Sequence, residues 1–203
     1  MTSPSALRPA VFLDRDGVLN EAVVREGKPY PPQSPEEVVV VPGMAGACDR
    51  MRREGFVLVV VTNQPDVARG RQTAAGVEAI NAVVRSQIPV DAVYVCPHDN
   101  ADQCGCRKPK PGMLVAAARD LGIDLSRSFM VGDRWTDIAA GQGVGCRTVY
   151  IERGYLEQDP VSPDHVTGDP VEALDWILTT VRLEEGGRDR SASLRHQDLR
   201  GRG

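Results

Sequence analysis

VFLDRDGVLN, residues 11–20, passes from a short apolar run into two aspartates one residue apart and then a glycine. A β-branched and aromatic run of this kind reads as a buried parallel strand. Asp14 then stands at the strand's carboxyl end, the edge at which open α/β sheets hold their ligands. A carboxylate there is suited to attack phosphorus or to hold a metal ion, and Asp16 is close enough to turn back toward the same ligand as a proton donor and acceptor. Gly17 permits the turn. An ordinary Asp-Gly turn after a strand would look the same, so the rest of the chain has to decide.

Further strand and helix patterns follow at regular spacing. Met44–Glu54 has helical periodicity and is stopped by Gly55 before the apolar run Phe56–Val61. Thr73–Gln87 carries Val77, Ile80, Val83 and Val84 on one face, and Ala92–Val95 reads as the next strand. Pro111 opens a helix with Leu114, Val115, Ala118 and Leu121 on its apolar side, followed by strands at Phe129–Val131 and Thr148–Ile151 and a helix at Trp135–Gly143 between them. Strands alternating with helices predict a three-layered, Rossmann-like α/β fold with a parallel sheet. Between the first strand and first helix, the Pro-rich stretch Lys28–Pro35 and Val38–Val41 read as an ordered flap. A terminal helix is expected over Val171–Leu183.

Other strand ends also carry polar groups. Val61-Thr62-Asn63-Gln64 puts a hydroxyl where the first strand has Asp14; it can serve a phosphate oxygen or cap a turn. Val131-Gly132-Asp133 adds a third carboxylate, either a ligand or a helix cap, and Asp137 follows in a supporting position. Arg107-Lys108-Pro109-Lys110-Pro111-Gly112 supplies a guanidinium fork and a point charge suited to a phosphate dianion, although a solvated basic loop has the same composition. Four strand ends that each present a group needed for phosphoryl transfer make coincidence a poor explanation.

Three of the five cysteines lie close together. Cys96-Pro97-His98 and Cys104-Gly105-Cys106 are two pairs of soft ligands, and in extended backbone residues i and i+2 point the same way. They predict a closed Cys₃His zinc site, structural rather than catalytic, that pins the loop bearing Arg107 and Lys108. A free or redox-active Cys-x-Cys is the competing reading.

From about Val11 to Ile151 these motifs resemble the haloacid dehalogenase superfamily of phosphatases. The resemblance implies that Asp14 forms an aspartyl-phosphate and that Asp16 protonates the leaving alcohol and then activates water. It implies Thr62 and Lys108 on the transferring phosphoryl group, with Asn63, Gln64, Arg107 and Arg134 in the substrate-binding set. Mg²⁺ would be held by Asp14, Asp133 and the backbone carbonyl of Asp16. The run CPH…CGCRKPKPGM is similar to the zinc-containing branch that includes the heptose 1,7-bisphosphate 7-phosphatases and the histidinol-phosphate phosphatases, which lack a large cap domain. The expectation is therefore a Mg²⁺-dependent phosphomonoesterase for a heptose bisphosphate, with histidinol phosphate or another small ester as the alternative substrate, and a catalytically silent phosphate-binding protein as the alternative class. Three departures bear on substrate: Pro65-Asp66 replaces Ser-Gly, the zinc loop is short, and Glu21–Tyr30 lacks a Gly-Tyr-Val pattern. Arg69 suits a second anionic group or a plain surface position.

At 203 residues the chain is long enough to bury a core without staples. A net charge of -4 gives no basic footprint for nucleic acid, and no apolar run approaches a membrane span. A cytoplasmic protein working as a monomer on a small phosphate ester is expected, with residues 1–183 as a single phosphatase domain and 184–203 as a disordered basic tail.

Overall fold

The computed structural model describes residues 6–198, with side chains described as far as residue 186. Its strands are β1 (Ala10–Leu13), β2 (Val23–Arg25), β3 (Lys28–Tyr30), β4 (Val57–Asn63), β5 (Ala92–Cys96), β6 (Phe129–Gly132), β7 (Arg147–Ile151) and β8 (His165–Thr167). The helices are α1 (Met44–Arg53), α2 (Ala74–Gln87), α3 (Gly112–Leu121), α4 (Trp135–Gln142) and α5 (Pro170–Asp198).

Six strands form one parallel sheet in the order β5-β4-β1-β6-β7-β8. The chain builds outward from β1 to one side through β4 and β5, then returns to build the other side from β6. The order therefore reverses at β1, and the crevice outside the carboxyl ends of β4, β1 and β6 is the place such sheets hold ligands. The sheet is covered on both faces, which is why its strands read as unbroken apolar runs. Successive side chains alternate: Val11 and Leu13 join Leu58 and Val60 against Met44, Cys48 and Met51 of α1 and Leu174 and Ile177 of α5. Ala10 and Phe12 join Val57, Val59 and Val61 against Met113, Leu114 and Ala117 of α3. Thr73 caps α2, its Oγ1 accepting from the Gly76 amide at 2.9 Å.

Three features differ from the sequence reading. The flap is an antiparallel hairpin, β2 with β3, turned by Glu26 and Gly27 with φ of 50° and 72°. A two-residue turn with both φ values positive matches the twist of a hairpin, and Glu26-Gly27 is its signal. A sixth sheet strand, β8, pairs with β7, and its His165 stacks on Trp176 at 4.6 Å. The terminal helix, expected to close at Leu183, runs on to Asp198, so the expected tail is helical up to that point; residues 199–203 lie outside the described residues. Residues 184–198 contain no proline, and each residue added to an existing helix gains one hydrogen bond without a new nucleus. No helix among the described residues is long and apolar enough to cross a membrane.

Candidate active site

Asp14 directly follows β1, Thr62 lies near the end of β4 and Asp133 directly follows β6, so all three stand at the carboxyl edge of the three central strands. The amide of Asp14 continues the ladder to Val131 O at 3.0 Å, after which the chain turns through Gly17, whose φ is 91°. Gly17 is required for space as well as for its backbone. A Cβ there would stand 1.8 Å from Asp133 Oδ2.

Lys108, from the loop after β5, reaches under this edge and is 3% exposed. Its ammonium group uses all three donors, on Asp14 Oδ1 at 2.6 Å, Asp137 Oδ1 at 2.7 Å and Val61 O at 2.7 Å. Burial favours the neutral amine, but the charges of Asp137 and Asp14 overcome it and hold Lys108 above its ordinary value. The carboxylates respond oppositely. Burial, reinforced by Asp137 and Asp16 against the pull of Lys108, raises Asp14 from 3.8 to about 6. Burial and the neighbouring Asp14 drive Asp133 well above the usual carboxylate range.

Asp14, Asp133 and Asp137 each place a carboxylate oxygen within 4.8 Å of the others. The two later aspartates differ in what they have left to offer. Asp137 is committed, with Oδ1 on Lys108 and Oδ2 accepting the Arg134 amide at 3.0 Å. Asp133 has one oxygen on the Tyr155 hydroxyl at 2.8 Å, while its buried Oδ1 meets no donor. A bare, buried carboxylate oxygen beside a second carboxylate fits a hard divalent cation, whose preferred ligands are oxygens.

Asp16 is 13% exposed, and its carboxylate is fastened by four bonds. Oδ1 accepts from Arg15 Nε at 3.1 Å and Asn20 Nδ2 at 3.0 Å; Oδ2 accepts from Arg15 Nη2 at 2.9 Å and Gln64 Nε2 at 2.9 Å. Gln64 also donates to Thr62 Oγ1 at 2.8 Å, which leaves the Thr62 hydroxyl hydrogen free to point elsewhere.

The other expected binding residues divide. Asp14, Asp16, Thr62, Asn63, Lys108, Asp137 and Arg134 line one pocket, roofed by Pro29, Tyr30 and Pro31 of the hairpin strand and its end. Asn63 there clamps the backbone of Lys108, its Nδ2 donating to Lys108 O and its Oδ1 accepting from Lys108 N, both at 3.1 Å. Arg134 is ion-paired with Glu157. Gln64 is buried behind Thr62 and is absent from the pocket lining, and Arg107 turns away, donating to Asn100 Oδ1 at 2.8 Å and His98 O at 3.2 Å. Arg69 binds the Asp99 carboxylate through two bonds of 2.8 Å.

Cys96, His98, Cys104 and Cys106 converge at the end of β5. Sγ–Sγ and Sγ–Nδ1 distances run from 3.3 to 3.7 Å. A tetrahedron whose corners lie about 2.0–2.3 Å from its centre, the range of zinc to nitrogen and sulfur, has edges of about 3.3–3.8 Å. The four donors therefore enclose a zinc-sized centre and leave no fifth position. Lys110 closes the loop behind them, donating to Gln103 O and Cys104 O at 3.0 and 2.9 Å.

Tyr155 and Arg153 also serve the site, the latter donating to Gly17 O at 2.7 Å. They follow the carboxyl end of β7, the same edge that gives Asp14, Thr62 and Asp133, and that position is their only signal in the sequence. Asn81 is signalled as a polar residue within the apolar stripe Val77, Ile80 and Val84 of α2.

Comparison with known proteins gives the family of the chain. A family model described as HAD-hydrolase-like matches residues 105–174. The D-glycero-D-manno-heptose-1,7-bisphosphate 7-phosphatase of Thermosynechococcus vestitus is 36% identical over 195 residues, covering 85% of this chain and 96% of that protein. The D-glycero-beta-D-manno-heptose-1,7-bisphosphate 7-phosphatase of Escherichia coli K12 is 34% identical over 185 residues, covering 85% and 90%. The crystal structure of D,D-heptose 1,7-bisphosphate phosphatase from B. bronchiseptica, complexed with magnesium and phosphate, superposes with a TM-score of 0.72 at 31% identity, covering 85% of this chain and 99% of that one. By fold and by relatives the chain is a haloacid dehalogenase-type phosphatase. Within that class the chain belongs to the family of the heptose-1,7-bisphosphate 7-phosphatases.

Proposed function

We propose that the chain is a Mg²⁺-dependent phosphomonoesterase that removes the 7-phosphate of D-glycero-D-manno-heptose 1,7-bisphosphate, with residues 1–183 as the catalytic unit and Zn²⁺ as a structural staple. The carrying observation is the meeting of Asp14 with Lys108 at 2.6 Å beside the bare, buried Oδ1 of Asp133. It pairs a nucleophile with a fixed cation and an open oxygen ligand.

Asp14 attacks phosphorus, and the bond from phosphorus to the ester oxygen breaks as Asp16, protonated on an oxygen that has given up one of its four bonds, passes that proton to the ester oxygen. Water then attacks the aspartyl-phosphate and loses its proton to Asp16, which frees inorganic phosphate and restores the Asp14 carboxylate. Thr62 donates its hydroxyl hydrogen to a phosphoryl oxygen, and Lys108 offsets the negative charge by exchanging its bond to Asp14 for one to the phosphoryl group. Asp14, Asp133 and the Asp16 backbone carbonyl would hold Mg²⁺, which neutralises phosphoryl charge when bound. Asp137 keeps Lys108 charged and in place. Cys96, His98, Cys104 and Cys106 would hold Zn²⁺, so the loop that delivers Lys108 is fixed at its base.

One observation favours a substrate with a single phosphate. Arg69 and Arg134 are spent on carboxylates and Arg107 on the zinc loop, so none of these three guanidinium groups is held open for a second phosphate. Phosphate release from heptose 1,7-bisphosphate and from histidinol phosphate separates the readings. A higher kcat/KM for the bisphosphate supports the assignment, and a higher value for histidinol phosphate overturns it in favour of the second.

A further inference from the structure

We propose that Asn81, on the buried side of α2, is a positioning residue for the reaction: through Arg15 it fixes where the Asp16 carboxylate stands. The inference rests on the role of Asp16 in proton transfer proposed above. Among the described residues Arg15 is the largest fully buried side chain, 1% exposed and charged. Burying a guanidinium is costly, and a buried ion pair is weak evidence for stability. What the arrangement does secure is direction. Arg15 Nη1 donates to Asn81 Oδ1 at 2.8 Å, and its other edge, Nε with Nη2, grips both oxygens of Asp16. The guanidinium is a rigid plane, so holding Nη1 sets the line along which Nε and Nη2 meet the carboxylate. Arg15 and Asp16 are neighbours in the chain, yet their relative geometry is anchored from 66 residues away. A change at Asn81 removes the outer anchor without touching the substrate pocket, whose lining excludes it.

The test compares two esters that differ in how much they need Asp16. Heptose 1,7-bisphosphate releases an alkoxide that must be protonated, whereas p-nitrophenyl phosphate releases a phenolate that leaves without a proton. In Asn81→Leu, kcat/KM for the heptose ester should fall at least about tenfold and that for p-nitrophenyl phosphate less than about threefold, because a displaced acid loses part of the rate that general acid catalysis supplies. Added to Asp16→Asn, the same change should leave the ratio of the two rates where Asp16→Asn alone puts it. Asn81→Ser is too short to reach Nη1, carries the same expectation, and serves if the leucine variant does not fold. An equal fall for both esters, or no fall, in a protein whose wild type is active overturns the inference alone. A wild type that releases phosphate from neither ester overturns the phosphatase reading and this inference with it.

Discussion

Lys108 and Asp14, 94 residues apart in the chain, meet at 2.6 Å, and both side chains are buried. The pair is part of a cluster of three carboxylates around one ammonium, so its electrostatics are unbalanced until a further cation arrives. Much of the behaviour expected of the protein follows from that imbalance.

Replacing Lys108 with Met removes the only cation bonded to Asp14 among the described residues. Loss of a fixed charge at the reacting group should lower kcat by about 10²–10³-fold. Leaving the partner carboxylates buried and unpaired should cost about 3–5 kcal/mol of stability in the absence of Mg²⁺. Steady-state kinetics and urea unfolding measure the two effects. A variant with full activity contradicts the role given to Lys108.

The raised pKa of Asp14 gives the Mg²⁺-free protein a pH dependence with a definite sign. A carboxyl at about 6 in the folded state and 3.8 as its ordinary value binds protons more tightly when folded. Its contribution is complete below pH 4 and is lost as pH rises through 6. Without Mg²⁺ and with zinc loaded, the protein should be more stable at pH 5 than at pH 7, by about 1 kcal/mol from Asp14 alone. Asp133 acts in the same direction. Denaturant titrations at the two pH values should show the difference shrink in Asp14→Asn. Greater stability at pH 7 would contradict the assignment.

Gly17→Ala should damage metal binding more than folding. The added methyl group falls on Asp133 Oδ2 and within 3.1 Å of the Tyr155 hydroxyl, so the carboxylate that would hold Mg²⁺ has to move. The dissociation constant for Mg²⁺, measured by calorimetry, should rise at least about tenfold, the scale on which disturbance of groups around a metal ligand is felt. Unchanged affinity would show that Asp133 does not hold the ion.

Cys104→Ser should lose bound zinc, measured by elemental analysis, and with it the fixed approach of Lys108 to Asp14. Thermal stability should fall, because binding energy of a structural metal is folding energy. Added Mg²⁺ should not restore kcat. A zinc-free variant with full activity would show the staple to be dispensable.

Five of the six strands of the parallel sheet, and the polar residues at their ends, were legible because each rests on a strong local pattern. Apolar runs leading into Asp14, Thr62 and Asp133 announce a sheet buried on both faces, and the spacing of Cys96, His98, Cys104 and Cys106 announces a closed set of soft metal ligands. The hairpin was obscured by Pro29 within β3, which is tolerated because β3 pairs on one side only. The directions of Arg107 and Gln64 were not legible at all. Spacing places a residue near a site, but whether its side chain faces the substrate or another residue depends on partners such as Asn100 and Thr62. Asn81 and Tyr155 belong to no short motif, and only tertiary packing brings them to Arg15 and Asp133.

The most direct measurement of the central claim is phosphate release from heptose 1,7-bisphosphate by the wild type and by Asp14→Asn, each with zinc loaded and with and without Mg²⁺. Wild-type turnover that requires Mg²⁺, together with a folded Asp14→Asn protein that releases no phosphate, is the predicted result. Turnover by Asp14→Asn at a rate near wild type would contradict the account, since no aspartyl-phosphate could then lie on the reaction path.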